Sequence, residues 1–309
     1  MTRNDAYWGK KPVIKNLVFV PVSETATRLA GLLSGNADIV RGIPPDQVAT
    51  IDQSSVARVI SAPSIRLDFL VFDAFGRAGK TPVMNKDARL AIAHAIDTRA
   101  MVDQLLVGRA VRTCTVANPM QFGYDSSIPC YAYDPQMSKQ LLPQAGFPNG
   151  FEITLNTFSG NAVAVKEVGQ AIQGYLSAVG IKANIKHFAD AGQFSKDLAA
   201  GKLVGIHLQS AGSYGLFDLQ GLYEYGLTDT STVTYVLDAQ LQAWLRETEE
   251  TVSASKRKQL LSKIQKRIND EVFWYPLWAQ KLSIGVSNRV NAEVSSDDIL
   301  RFYLFSWKK

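Results

Sequence analysis

The chain has 309 residues, 46% hydrophobic and 20% charged, with 33 basic and 28 acidic side chains and a formal charge of +5. This is enough apolar material for one large or two ordinary cores, and it excludes a disordered chain. The longest purely apolar runs, such as Leu17 to Val20, fall far short of the roughly 20 residues that span a bilayer, so no membrane-crossing helix is expected.

From the N-terminus, Leu17 to Val22 is rich in Val and Phe and predicts a strand. Thr25 to Leu33 has helical spacing of Leu29, Leu32 and Leu33, is stopped by Gly35, and leads into a strand at Asp38-Ile39-Val40. Pro44-Pro45-Asp46 opens a short helix, and Val56 to Ile60 and Arg66 to Phe72 read as two strands. The second is apolar on both faces, which predicts burial on both. Asn85 to Leu106 is helical in pattern, with Ala88, Ala91, Ile92, Ala95 and Ile96 on one stripe, Asp97 interrupting before a second segment through Val102, Leu105 and Leu106, and Gly108 ending it. Cys114 to Tyr133 is punctuated by turn signals and reads as loop. The next helix has Asp134 as N-cap, Pro135 at its first position, Pro143 in its last turn and Gly146 beyond it.

Strands are then expected at Phe151–Leu155, Ile181–Ile185 and Leu203–Leu208, alternating with helices at Asn161–Val179 and Ala191–Ala200. Strands separated by helices of this length imply an α/β layer with parallel pairs. Two amphipathic helices follow, Asp238–Val252 and Ala254–Glu271, before strands at Phe273–Trp278 and Lys281–Val286. The second helix bears the densest basic patch, Lys256, Arg257, Lys258, Lys263, Lys266 and Arg267, preceded by Glu247, Glu249 and Glu250. Without interleaved aromatics or a recognisable reading element it is a solvated face, and no nucleic-acid partner is expected.

Cys114 and Cys130 enclose 15 residues and have neither CxxC spacing nor a neighbouring His, which leaves a structural disulfide or two separate buried thiols. Enzyme readings find little support. His94, His187 and His207 lack a metal-ligand partner at i+3 or i+4, and there is no Gly-x-Ser-x-Gly, P-loop or dinucleotide fingerprint. Asp218 and Glu224 are the one carboxylate pair weighed for glycosidase chemistry, and their spacing is commonplace. No catalytic residue, metal or cofactor is expected.

Several ordered segments nevertheless resemble one family. Arg3-Asn4-Asp5-Ala6-Tyr7-Trp8-Gly9-Lys10-Lys11-Pro12 is similar to its Arg-Asn-Pro-x-Tyr-Trp-x-Gly-x-Pro segment. Leu32-Leu33-Ser34-Gly35-Asn36-Ala37-Asp38-Ile39 resembles its Ser-Gly-x-x-Asp-Ile segment, Asp87 to Asp97 its Arg-x-Ala-Leu-x-x-Ala-Ile-Asp helix, and Tyr133-Asp134-Pro135 through Leu141 to Gly146 its Tyr-Asp-Pro and Leu-Leu-Ala-Glu-Ala-Gly. The family is that of the extracytoplasmic solute-binding proteins, family 5, which serve ABC importers for peptides, nickel and opines.

The resemblance implies an α/β fold of periplasmic-binding-protein type II, with one nearly complete lobe plus part of the other: 1–68 in the first lobe, 69–280 the second, and 281–309 returning to the first. Two such lobes close over a solute like a hinge. It implies a peptide, opine or other small polar solute and ABC permease subunits as partners. The ligand-facing candidates are Gln209, Ser210, Ser213, Tyr214, Phe217 and Asp218 in the loop after the Leu203–Leu208 strand, with Trp278 and Gln280. In peptide-binding relatives this loop carries an Asp that pairs with the ligand's amino terminus; here that position falls on Ser213, or on Asp218 if the loop is shifted.

In relatives the opening segment lies well inside the chain, so an N-terminal truncation is expected, with weak or absent solute binding by the chain alone and poor solubility or self-association. The family implies a periplasmic location and an oxidising surrounding for a disulfide. As written, the N-terminus shows no h-region or cleavage site, which gives a cytoplasmic expectation if Met1 is the true start. A standalone α/β module, or a receptor fragment acting only through protein contacts, is the alternative reading.

Overall fold

The computed structural model describes residues 1–22, 24–160, 164–212 and 216–308. They form two compact units, Met1–Ser64 with Lys281–Lys309, and Ile65–Gln280.

The smaller unit begins with α1 (Thr25–Leu33), whose Leu29 and Leu32 are buried. Gly35 follows it at φ +79°, a left-handed conformation that costs an L side chain dearly and a glycine little. Next come β1 (Ile39–Arg41), a 3₁₀ turn at Pro45–Gln47, α2 (Val48–Asp52) and the first part of β2 (Ala57–Phe72). β1 lies antiparallel to the far end of β7 (Trp274–Ser287), with Ile39 opposite Val286 and Arg41 opposite Ile284. Gly285 on β7 has no side chain because Leu32 sits there; a Cβ would lie 2.5 Å from Leu32 Cδ2. A two-residue pairing of β8 (Val290–Asn291) with β9 (Ser306–Trp307) closes the unit.

The expected strand at 17–22 is not formed. Val18, Phe19 and Val20 are exposed, and the nearest ladder contact is a single bridge between Thr2 and Asn16. β-rich composition yields a strand only where a neighbour continues the ladder; Leu17 exchanges backbone hydrogen bonds with Met1, and among the described residues the pairing goes no further.

The larger unit is a sheet with helices on both faces. Its strands run in the order β7, β2, β6 (Ile206–Ala211), β4 (Phe151–Phe158), β5 (Ile181–Phe188), with β3 (Ala110–Arg112) on the other side of β7. β4 pairs in parallel with both β5 and β6, whereas β2 with β6 and β3 with β7 are antiparallel. One face of β2, Leu70 and Phe72, packs with α3 (Lys86–Ala95), α5 (Pro135–Gln144) and α6 (Val165–Ser177) through Ile92, Leu142, Ile172 and Leu176. The other face, Leu67, Phe69 and Val71, packs with α7 (Ala191–Ala199), α8 (Gln220–Leu227), α9 (Ala239–Glu250) and α10 (Ala254–Asp270), through Phe194, Tyr223, Leu245 and Leu261. Burial on both faces is why this strand lacks polar alternation.

Two pairs of expected strands are each one strand: Val56–Ile60 with Arg66–Phe72 becomes β2, and Phe273–Trp278 with Lys281–Val286 becomes β7. Both cross the boundary between the units, so the polypeptide joins them twice. The interruption expected at Asp97 within 85–106 is a complete break, and the second segment is not a continuous α-helix. Ile96 is extended, Asp97 Oδ1 accepts from the Ala100 amide at 2.9 Å to cap α4 (Thr98–Ala100), and a π turn covers Met101–Leu105. A short Asp side chain competes with the helix backbone and starts a new helix instead of continuing the old one. The short β3 and the whole of α8 lie in stretches without a clear apolar period. Of the helix expected from Asn161, residues 161–163 lie outside those described, and α6 starts at Val165.

Cys114 and Cys130 are joined in a disulfide. The loop they close is held by protein contacts as well: Cys114 O accepts from Asn269 Nδ2 at 2.8 Å, Val116 O accepts from the Tyr223 hydroxyl at 3.1 Å, and Tyr131 donates to Asn269 O. Reducing the disulfide should lower unfolding free energy by about 3 kcal/mol on chain-entropy grounds, with native secondary structure retained. Denaturant titration of oxidised and reduced protein by circular dichroism checks both parts.

Candidate functional site

β6 does not end at Leu208. Its ladder with β2 continues through Leu67 opposite Ala211, so Gln209 and Ser210 belong to the strand and not to the loop after it. The consequence is geometric: successive strand residues point to opposite faces, and these two neighbours serve different surroundings. Ser213 and Tyr214 lie outside the described residues.

On Ser210's side a buried polar cluster forms around Asp68 of β2. Trp278 Nε1 donates to Asp68 Oδ2 at 2.7 Å, and Gln280 Nε2 donates to both carboxylate oxygens at 2.8 and 2.9 Å. Gln280 Nε2 also reaches Ser210 Oγ at 3.1 Å, and Arg66 donates to the Ser210 carbonyl at 3.2 Å. Asp68, Arg66, Trp278 and Gln280 are all buried. Three of the expected residues, Ser210, Trp278 and Gln280, therefore meet at a carboxylate that sequence reading passed over as strand interior. The available signal was Arg66 and Asp68 at alternating positions in an otherwise apolar strand.

Burial pushes the Asp68 carboxyl up to about 6, against the opposing pull of hydrogen bonds from Ser210, Gln280 and Trp278 and the charge of Arg66. Desolvation wins because the hydrogen bonds replace only part of the lost hydration.

Gln209 faces the other way, beside His207, Phe69 and Trp274. Phe217 and Asp218 form a third group around Phe122. The Phe122 amide donates to Phe217 O at 2.7 Å, and Asp218 Oδ1 accepts from the Gln220 amide at 3.0 Å at the start of α8. Asp218 Oδ2 accepts from Arg257 at 2.9 Å, and the Arg257 guanidinium lies 5.2 Å from the Phe122 ring centroid. Asp218 thus already has a cation and a cap to satisfy it. Its proposed pair, Glu224, accepts from Gln220 Nε2.

The histidines are held by ordinary partners or by packing. His94 Nδ1 lies 2.9 Å from Ala132 O, and His187 sits between Thr157 Oγ1 and Ser159 Oγ, each at 3.0 Å. Among the described residues, no three His, Cys, Asp or Glu side chains converge in a way that could hold a metal ion.

The sign of Asp68's linkage follows from its raised value. Between the ordinary 3.8 and about 6 the folded state holds the proton more tightly, so this contribution is full at low pH and is lost as pH rises through about 6. The span corresponds to roughly 3 kcal/mol. Asp68→Asn should therefore flatten the fall in stability between pH 4 and pH 7 relative to wild type. Urea titrations at those two pH values measure the difference, and equal slopes in both proteins would assign the pH dependence elsewhere.

Comparison with known proteins places this architecture. Residues 1–228 match the bacterial extracellular solute-binding proteins, family 5 Middle. The chain is 28% identical over 287 residues to the glutathione-binding protein GsiB of Escherichia coli O1:K1, covering 89% of this chain and 54% of that protein. It thus spans about half the length of the curated relatives it matches. Among solved structures, a dipeptide-binding protein from Pseudoalteromonas sp. SM9913 in complex with Met-Leu superposes with a TM-score of 0.90 at 18% identity, over 99% of this chain and 61% of that one. The periplasmic binding protein DppA of Helicobacter pylori in complex with peptide STSA gives 0.89 at 22%, over 100% and 60%. The fold is that of the type II periplasmic binding proteins, and with the family match running across residues 1–228 the chain belongs to the bacterial extracellular solute-binding proteins of family 5.

Proposed function

We propose that this chain acts in the solute-binding component of an ABC importer, capturing a peptide, glutathione-like or other small polar solute outside the cytoplasmic membrane and presenting it to the permease subunits. The observation that carries the reading is the family match across residues 1–228. The relatives named above are binding proteins by name, one of them ABC transporter-associated, and two were solved with peptides bound.

In this reading residues 69–280 are the second lobe, 1–68 part of the first, and 281–309 the return to the first. Capture proceeds by closure of the lobes about the connecting strands. The solute-facing surface is drawn from Ser210, Ser213, Tyr214, Phe217 and Asp218, with Trp278 and Gln280 behind it, while Gln209, expected beside Ser210, turns to the opposite face of β6. Trp278 and Gln280 are buried and bonded to Asp68, so their part is to hold Ser210 in place. A few fixed polar groups among aromatic walls suit a small polar solute.

The test is to purify the protein under non-denaturing conditions from the cells that make it, denature it, and identify released small molecules by mass spectrometry. One peptide-like or similarly polar solute is the expected result, in less than equimolar amount because the chain alone is expected to bind weakly. If no small molecule is released, and glutathione, dipeptides and opines all leave the melting temperature unchanged, the reading fails.

A further inference from the structure

β6 ends at Ala211 and α8 starts at Gln220, so Phe217, Asp218 and Leu219 belong to neither. Backbone groups between two elements must find their partners elsewhere. Here one residue supplies them: the Phe122 amide donates to Phe217 O at 2.7 Å, and Phe122 O accepts from the Leu219 amide at 3.2 Å. The two bonds straddle Asp218 and pair it with Phe122 in an isolated parallel bridge.

Phe122 stands midway between Cys114 and Cys130, and one stripe of α10 holds that loop along its length. Arg257, Leu261, Gln265 and Asn269 recur every four residues and so share a helix face. At the base of the loop, Asn269 Nδ2 donates to Cys114 O. In its middle, Gln265 Nε2 donates to Gly123 O at 2.6 Å and Gln265 Oε1 accepts from the Asp125 amide at 3.2 Å. Gly123 has φ +94°, and a Cβ there would lie 2.3 Å from Leu261 Cδ1, so the loop backbone rests directly on the helix. Arg257 completes the stripe. Its guanidinium lies 5.2 Å from the Phe122 ring centroid and donates to Asp218 Oδ2 at 2.9 Å and Gln220 Oε1 at 2.6 Å.

We infer that Phe122 is a positioning residue for the proposed solute-facing segment: its backbone fixes Phe217 and Leu219, and its ring fixes the Arg257 that holds Asp218. The loop closed by Cys114 and Cys130 is then the mounting that transfers the rigidity of α10 to that segment. A segment ordered in advance does not have to be ordered when solute arrives, which favours affinity. The mounting stands on the contacts alone, whereas its use in recognition rests on the proposed function.

Hydrogen exchange of single amides, read by NMR on the intact ¹⁵N-labelled, oxidised chain, tests the mounting without any solute. Gly123→Ala pushes the loop off Leu261 and should speed exchange of the Leu219 amide about tenfold, while amides of the β4–β5 ladder stay within about twofold. A general loss of stability would speed both alike. Phe122→Leu, which keeps the backbone and removes the ring from Arg257, should move Leu219 in the same direction, and Phe122→Tyr should restore it; this pair decides if Gly123→Ala does not fold. Leu219 exchange that is unchanged, or that rises only together with the ladder, overturns the inference. Titration with the dipeptide Met-Leu then reads recognition: Phe122→Leu should bind about threefold more weakly than wild type, with recovery in Phe122→Tyr. Equal binding by all three would overturn the positioning role. A local response at Leu219 with no Met-Leu binding by wild type upholds the mounting and counts against the proposed function alone.

Discussion

The structure depends on one strand being buried on both faces. From Ile65 to Phe72 every residue of β2 is buried, with Leu70 and Phe72 turned to one core and Leu67, Phe69 and Val71 to the other. A strand in that position cannot use solvent to satisfy anything it carries, so each of its backbone groups needs a ladder and each polar side chain a built partner. β6 on one side and β7 on the other together meet the first demand, and the antiparallel register with β6 fixes which residues face each other. It also extends β6 as far as Ala211 and thereby decides where the candidate residues stand.

Asp68 meets the second demand. A carboxylate in this place is destabilising unless donors surround it, and the indole of Trp278, the amide of Gln280 and the hydroxyl of Ser210 converge there. The cluster therefore ties three strands, β2, β6 and β7, at one point by directional bonds that an apolar core could not supply. Replacing such a group by an apolar residue of similar shape is often neutral for stability, so its value lies in fixing register and orientation. Because β2 and β7 are also the two strands that run on into the smaller unit, the cluster fixes both of them close to where they leave the larger one.

Much of this was legible in the sequence wherever one physical signal dominated. The apolar stripes of α6, α9 and α10, the Asp134 cap with Pro135 behind it, and the two-faced apolar run of β2 each predict their element from local chemistry. The failures share a cause. Leu17 to Val22 has strand composition, but strand formation is decided by a partner, and composition says nothing of one. The interruption of the 85–106 helix at Asp97 is by contrast visible in the sequence, and what periodicity leaves out is that this one Asp side chain caps a new helix. Ser210, Trp278 and Gln280 follow from a family resemblance, yet their meeting point, Asp68, is about 140 to 210 positions away along the chain. Strand pairing created that proximity, and periodicity alone could not anticipate it.

Register also bears on how charge is used. Gln209 and Ser210 are adjacent in sequence and would pass for one polar patch, but the pleat sends one towards His207, Phe69 and Trp274 and the other to the Asp68 cluster. Asp218, the one formal charge among the proposed solute-facing residues, is paired with Arg257 and caps α8. To bind a cationic group it would have to exchange an existing ion pair for a new one. That exchange cancels most of the Coulombic gain, since the partner it gives up is itself within hydrogen-bond distance. A solute read at this surface is therefore better distinguished by neutral hydrogen-bonding groups than by a positive charge. Within the proposed function, this favours recognition through hydroxyls and amides over an anchored amino terminus.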